Sequence, residues 1–314
     1  MRYPLNNYIP LVRIRPLKTF NSRIKWKLRW CWKLIRQIFL VKIFLQGAHP
    51  VGKIGQLELI KLNKTSSLGS KGDFVCLLRD QVIYRSVVME GQWEIQTSKF
   101  LADQLMSHPG STLVDLGANQ GLITKQVLNK LHFEVSAILV EPLPAHILAS
   151  RINLSNFQHS HSITFVEGAL DIQSGNRIIY SDNVNFGNTT FSEYLIPMGR
   201  SIGSTITTLS IKEFEENYLA DKSQIVIKSD MQGFDLTFLI TVSIEIWQKV
   251  VAASIEVWAV VEVNQAIKEE IRIRLSQFSS LVWVVENQNT PTTVDEVLEY
   301  WGRNDGTWRD LYVS

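Results

Sequence analysis

Between Thr112 and Pro142 a short apolar stretch runs into an acid, a glycine turn, a helical stretch, a second apolar stretch and a second acid. Few folds accommodate that order. Leu113 and Val114 lead into Asp115, and Gly117-Ala118-Asn119-Gln120-Gly121 permits a sharp reversal and a close backbone approach that Cβ atoms would hinder. A helix starting near Gln120 then aims free N–H groups at an anion. Glu141 ends the apolar run 137–140, twenty residues beyond Gly121. A carboxylate at a strand tip accepts hydrogen bonds from both hydroxyls of a ribose.

This spacing suits a nucleoside cofactor bound at the carboxyl ends of parallel strands. Dinucleotide enzymes use the turn G-x-G-x-x-G, whereas this one reads Asp-x-Gly-x-x-x-Gly, with an acid two residues before the first glycine. A carboxylate there sits poorly beside a pyrophosphate and well beside the cationic amino and sulfonium groups of S-adenosylmethionine. The methyl donor is therefore expected ahead of a nicotinamide or flavin, with a purely structural turn behind both.

The alternation continues on either side. Strands are expected at 112–116, 137–141, 162–167, 224–230, 250–257, 281–285 and 310–313, and helices at 94–106, 120–131, 143–155, 234–247, 265–278 and 294–301. Such a succession predicts a parallel sheet covered on both faces. Upstream, 47–72 reads as a linker rich in Gly, Ser and Lys, and 74–78 with 82–88 as a hairpin around Arg79-Asp80-Gln81. Residues 174–210 interrupt the pattern with short extended pieces around Asn183, Asn185 and Asn188, which read either as a substrate lid or as ordinary loop chemistry.

Charge divides the chain. Residues 1–57 hold twelve Lys and Arg and no acid, whereas the remainder holds 20 basic and 30 acidic residues, a net of −10. A basic arm (1–57) is thus expected ahead of a catalytic domain (58–314). Within 22–45, Lys25, Arg29, Lys33 and Arg36 fall on one helical stripe beside bulk such as Trp26, Trp30, Trp32, Ile38 and Phe39. That pattern fits a helix lying on an anionic membrane surface, or equally one packed on the main domain with its stripe solvated. No run of 18 uncharged residues exists to span a bilayer, and no convincing signal peptide is present. The expected location is cytoplasmic, peripheral on a membrane if the arm docks there. The acidic remainder argues against nucleic acid as a partner. Cys31 and Cys76 form neither a disulfide framework nor a metal spacing.

Three segments in order resemble the FkbM family of S-adenosylmethionine-dependent methyltransferases: Leu113 to Gly121, Val140-Glu141-Pro142, and Ile227-Lys228-Ser229-Asp230-Met231-Gln232-Gly233-Phe234-Asp235. The likeness covers residues 90–314, including the closing Arg309-Asp310-Leu311-Tyr312-Val313. Many methyltransferases share the glycine motif, whereas its combination with the third segment is more specific. The family commonly has Glu where this chain has Gln232, which puts in doubt any proton transfer assigned there. The resemblance implies an α/β, Rossmann-like class I methyltransferase fold with a mostly parallel seven-stranded sheet. It also implies O-methylation of a hydroxyl, often on a sugar or sugar-bearing product.

With the strand-tip geometry, the resemblance places Asp115, Gly117, Ala118, Asn119 and Gly121 at the methionine end of the cofactor. Glu141 and Pro142 fall at the ribose, and Glu167, Gly168 and Ala169 near the adenine. Lys228 and Asp230, two apart in a strand, share one face. Asp230 is the candidate to accept or orient the acceptor proton, with Lys228 holding it ionised; the plain alternative is a structural pair closing the strand end. Glu256 lies in an apolar strand and needs a partner or a role. Three placements are open to it: the active site, a pair with Lys228, or an exposed face. No adjacent Asp-Asn pair completes a magnesium site, so no metal is expected. His159 and His161 read as a solvated turn before substrate contacts. The chain is thus expected to be an O-methyltransferase acting on a small-molecule or glycan acceptor. A nucleotide-cofactor oxidoreductase and a non-catalytic membrane-associated scaffold are the rival readings.

Overall fold

The computed structural model describes residues 48–54, 57–62, 68, 74–77, 81–181, 189–190, 201–259, 263–285, 288–303 and 305–314. The amphipathic arm at 22–45 and the asparagines at 183, 185 and 188 lie outside the described residues.

A small antiparallel sheet comes first, built from β1 (Ala48–Ile54), β2 (Leu57–Leu62) and β3 (Phe74–Leu77). The expected linker therefore contains two paired strands. A register shift between Pro50 and Gly52 breaks the period of two by which a strand is recognised in sequence. The expected second hairpin strand is instead a helix, α1 (Gln81–Glu90). Ile83, Val87 and Val88 lie on one helical face, packed with Ile60, Phe74, Cys76 and Leu122. That burial overrides the extended preference of β-branched residues.

The regular alternation follows as α2 (Ile95–Ser107), β4 (Thr112–Leu116), α3 (Leu122–Lys130), β5 (Ser136–Glu141), α4 (Pro144–Leu154) and β6 (Ser162–Glu167). Next, β7 (Ala169–Asp171), β8 (Gly175–Ser181) and β9 (Ser201–Ser210) make a separate sheet in the order β7-β9-β8. A capping box between Ser210 and Glu213 starts α5 (Ile211–Phe214). Then come β10 (Ile225–Ser229), α6 (Asp235–Thr241), α7 (Ile244–Trp247), β11 (Val250–Trp258), α8 (Gln265–Leu275), β12 (Leu281–Val285), β13 (Gln288–Pro291), α9 (Val294–Trp301) and β14 (Trp308–Val313). The single helix expected at 234–247 is broken in two. Ser243 caps α7, and the Arg274 guanidinium takes the Ile240 and Val242 carbonyls at the end of α6.

The central sheet runs β13-β12-β14-β11-β10-β4-β5-β6. Strands β4, β5, β6, β10 and β11 are parallel, while β14 is antiparallel to both of its neighbours. This is the expected Rossmann-like α/β arrangement, with one more edge strand, β13, than the seven anticipated. Each face of the sheet carries its own core. Along β4, Leu113 packs with Leu101, Val127 and Phe157 on one side, and Val114 with Trp247, Phe214 and Trp301 on the other.

Side-chain amides hold the N-terminal layer to this core. Asn153 pairs with both polar backbone groups of Val75, accepting from its N–H at 2.7 Å and donating to its carbonyl at 3.0 Å. Gln120 Oε1 accepts from Leu77 N at 2.9 Å, and Gln126 grips both N–H and C=O of Trp93. Both β3 and Trp93 are thereby tied to the glycine turn, α3 and α4. Among the described residues, no helix is long and apolar enough to cross a membrane.

Candidate functional site

A cavity opens at the carboxyl ends of β4, β5, β10 and β11, where ligands of open α/β sheets bind. One end is walled by Ala118, Asn119, Glu141 and Pro142, with Gly168 and Ala169 beside them. The other end holds Glu94, Lys228, Asp230, Gln232, Glu256 and Asp310 among the indoles of Trp93, Trp258 and Trp308.

The glycine turn is built largely around the protein's own atoms. Gly117 N and Ala118 N both donate to Val140 O at 3.0 Å, and Asn119 N donates to Glu141 Oε2 at 2.8 Å. Those three N–H groups are therefore committed within the protein. Gly117 has φ 74°, and a Cβ there would stand 2.0 Å from Asp230 O. Its smallness serves the approach of the β10 loop. Gly121 does the same for α4, where a Cβ would meet Ser150 at 3.2 Å. Gly121 itself is not part of the cavity wall.

Asp115 does not reach the cavity. Its strand register sets it directly beside Lys228, and the two side chains meet at 3.5 Å in a fully buried pair. The other Asp115 oxygen accepts from Thr124 Oγ1 at 2.6 Å. Glu167 is also absent from the wall, being exposed on edge strand β6. Glu141 is buried and lines the cavity, accepting from Asn119 N and Leu143 N and lying 3.2 Å from His146 Nδ1. His161 accepts from Val135 N and is buried, and neither it nor His159 lines the cavity.

Lys228 ties the two halves of the site together. Its ammonium donates to Gly117 O at 2.7 Å and lies 3.5 Å from Asp115 and 3.6 Å from Asp230. Burial alone would lower its pKa, but the carboxylates of Asp230 and Asp115 more than offset this and hold it above its ordinary value. Glu256 settles at the site without an ion pair to Lys228. Its Oε2 accepts from Trp258 Nε1 at 2.5 Å and lies 3.3 Å from Gln232 Nε2.

The surrounding acids outnumber the lysine. Glu256 and Asp310 are cross-strand partners between β11 and β14, so two acids face each other at one level of the sheet. Burial, then Asp230 and Asp235, push Glu256 well above the usual carboxylate range. Burial and Asp230 push Asp310 up to about 7, and Asp235 up to about 6. Glu94 is exposed at the cavity wall, where neighbouring atoms desolvate it only in part. That desolvation, with Asp230 and Asp310, raises it to about 8.

The folded state thus retains protons that the unfolded chain, with ordinary values of 3.8 for Asp and 4.5 for Glu, has already released. More protons on the folded state means that stability falls as pH rises, here from about 4 to about 8. The urea midpoint is expected to be lower at pH 8.5 than at pH 5. Equal or higher stability at pH 8.5 would contradict this arrangement of acids.

Sequence reasoning missed Trp93, Glu94, Thr97, Trp258, Trp308 and Asp310 as wall residues. A signal was present: Glu256-x-Trp258 and Trp308-x-Asp310 each set an acid and an indole on one face of a strand. Pairing of β11 with β14 superposes them, Glu256 on Asp310 and Trp258 on Trp308. Backbone strain is also concentrated here. Among the described residues, the non-glycine positions with positive φ are Glu94 (40°), Asn119 (50°) and Gln232 (51°), and all three line the cavity.

No protein-family model matches the chain, and no curated protein does. Similar courses of the chain occur in solved structures at low identity. A SAM-dependent methyltransferase from Agrobacterium tumefaciens aligns at 9% identity over 83% of this chain and 70% of its own, with a TM-score of 0.40. Aeropyrum pernix fibrillarin, solved with natively bound S-adenosyl-L-methionine, aligns at 10% identity over 85% and 98%, with a TM-score of 0.35. A SAM-dependent O-methyltransferase from Thermotoga maritima aligns at 10% identity over 78% and 76%, with a TM-score of 0.33. Likeness at this level carries no conclusion about activity.

Proposed function

We propose that the cavity binds S-adenosylmethionine and methylates a hydroxyl of a small-molecule acceptor, a sugar or a sugar-bearing compound. The observation that carries this reading is that Glu141 at the tip of β5 and Asp230 after β10, separated by β4, line one cavity on the carboxyl edge of the sheet. The resemblance of the three sequence segments to the FkbM family supports a hydroxyl as the acceptor.

The chain's residues fit such a ligand. A carboxylate offers roughly four acceptor positions, and Glu141 uses three of them, leaving one on Oε2 for a ribose hydroxyl. Ala118, Asn119 and Pro142 shape the wall around it, and Gly168 and Ala169 bring backbone to the neighbouring strand tip. Asp115 would act indirectly, fixing Lys228 and thereby the glycine turn. When bound, the cofactor supplies a methyl group on a sulfonium, an activated leaving group that calls for alignment more than for chemical assistance. Asp230 takes the proton that the acceptor oxygen loses as its new bond to carbon forms. Lys228 keeps the Asp230 carboxylate aimed, and the indoles of Trp258 and Trp308 add aromatic surface to the wall beside the acceptor.

Calorimetric titration with S-adenosylhomocysteine, beside NADH, tests the reading. Micromolar binding of S-adenosylhomocysteine is expected, lost in Glu141→Ala and retained within about threefold in Asp230→Asn, whose carboxamide still fills the site. Absence of binding would remove the methyl-transfer reading, and binding of NADH instead would replace it with an oxidoreductase.

A further inference from the structure

Gln232 combines features that ordinary packing does not call for. Its backbone is left-handed at φ 51°, followed by Gly233 at φ 95°, and its carbonyl is fixed by Thr190 Oγ1 at 2.7 Å. The Nε2 atom donates to Asp230 Oδ1 at 2.8 Å and lies 3.3 and 3.5 Å from the two oxygens of Glu256. The amide oxygen is buried with no hydrogen-bond partner. A strained backbone and an orphaned carbonyl are both unfavourable. What they secure is one nitrogen, with two hydrogens, held between two carboxylates.

We propose that Gln232 is the positioning residue that divides the roles of Asp230 and Glu256, standing between them so that Glu256 keeps a proton while Asp230 stays ready for the proton of the acceptor. This rests on the methyl-transfer reading above. Two carboxyls facing each other across a cavity otherwise share a proton and titrate as a unit. The amide prevents this through unequal contacts, a normal hydrogen bond to Asp230 and a long one to Glu256. The other neighbours add to the inequality. Lys228 on β10 lies beside Asp230, with Asp115 of β4 behind it. Glu256 faces Asp310 on β14, which favours its protonated form, while the indole N–H of Trp258 acts in the opposite direction, and Asp235, at the head of α6, raises Glu256 further. Glu94, at the head of α2, interacts electrostatically with Asp230 and is itself held above the usual carboxylate range, so it contributes little charge at neutral pH. A side chain of the same shape without the N–H groups would remove the division, and a carboxylate in its place would add a third charge to the pair.

The test is a carboxyl-carbon NMR titration of the full chain, with Glu256 and Asp230 assigned from Glu256→Gln and Asp230→Asn. In the unaltered protein, Glu256 is expected to ionise well above the usual carboxylate range. In Gln232→Met the two midpoints are expected to approach by about one pH unit or more, each curve becoming biphasic. Gln232→Glu should move both midpoints upward, and it carries the test should the methionine variant fail to fold. Curves that match the unaltered protein in a folded variant would overturn the role of Gln232. Titration of the same proteins with S-adenosylhomocysteine separates the two ideas. No binding to the unaltered protein sinks the methyl-transfer reading, whereas binding with unmoved titration curves sinks the role of Gln232 alone.

Discussion

Gly117→Ala is expected to destabilise the protein by about 3 kcal/mol or more, enough to leave much of a marginal domain unfolded. Two effects add. A residue with a Cβ at φ 74° bears a left-handed penalty of about 1–2 kcal/mol. The new methyl would also stand 2.0 Å from Asp230 O, far inside contact distance. That oxygen belongs to the backbone, so relief requires the loop after β10 to retreat from the turn after β4. Gly110→Ala separates the two effects. Its φ is 89°, yet a Cβ there would meet nothing within 4 Å, so only the backbone penalty applies. Urea unfolding of the two variants should differ by about 2 kcal/mol, with the Gly117 variant also losing S-adenosylhomocysteine binding. Equal losses would mean that the contact with Asp230 is unimportant.

The second large effect is expected at Lys228. Lys228→Met keeps most of the bulk but strands Asp115, a carboxylate 1% exposed whose remaining partner is Thr124. Removing one member of a buried pair costs about 3–5 kcal/mol, most of it from the charge left behind. The loss should therefore be largely reversed by a second change that neutralises the stranded acid. Lys228→Met with Asp115→Asn is expected to recover at least half of the lost stability, a coupling read directly from urea midpoints. Additive losses would show that Lys228 stabilises through Gly117 O and the strand edge instead of through Asp115.

What could be read from the sequence followed the range of the interactions. The stretch from β4 to β6 was legible because each strand, turn and helix there is set by adjacent residues, and Glu141 arrived at its strand tip by spacing alone. Asp115 was misplaced because its partner, Lys228, lies 113 positions further along and meets it only through the register of β4 with β10. The same limit hid Trp308 and Asp310, whose site is completed when the antiparallel β14 inserts beside β11. The helix α1 was misread for a different reason. Its valines and isoleucine favour strands locally, and burial against β3 and Leu122 decided the outcome. Gln232 stood out as a departure from the FkbM pattern that the sequence resembles, but its function as a double donor depends on a left-handed backbone that composition does not reveal.

The amide clamps of Asn153, Gln120 and Gln126 have an evolutionary consequence. They grip peptide groups of Val75, Leu77 and Trp93, and peptide groups are the same whatever side chain they carry. The segment over the cavity is thus attached through atoms that substitution leaves in place. Its side chains, Trp93 and Glu94 among them, are free to drift while the layer keeps its seat on the central sheet. The fold separates what anchors the roof from what the roof can learn to recognise.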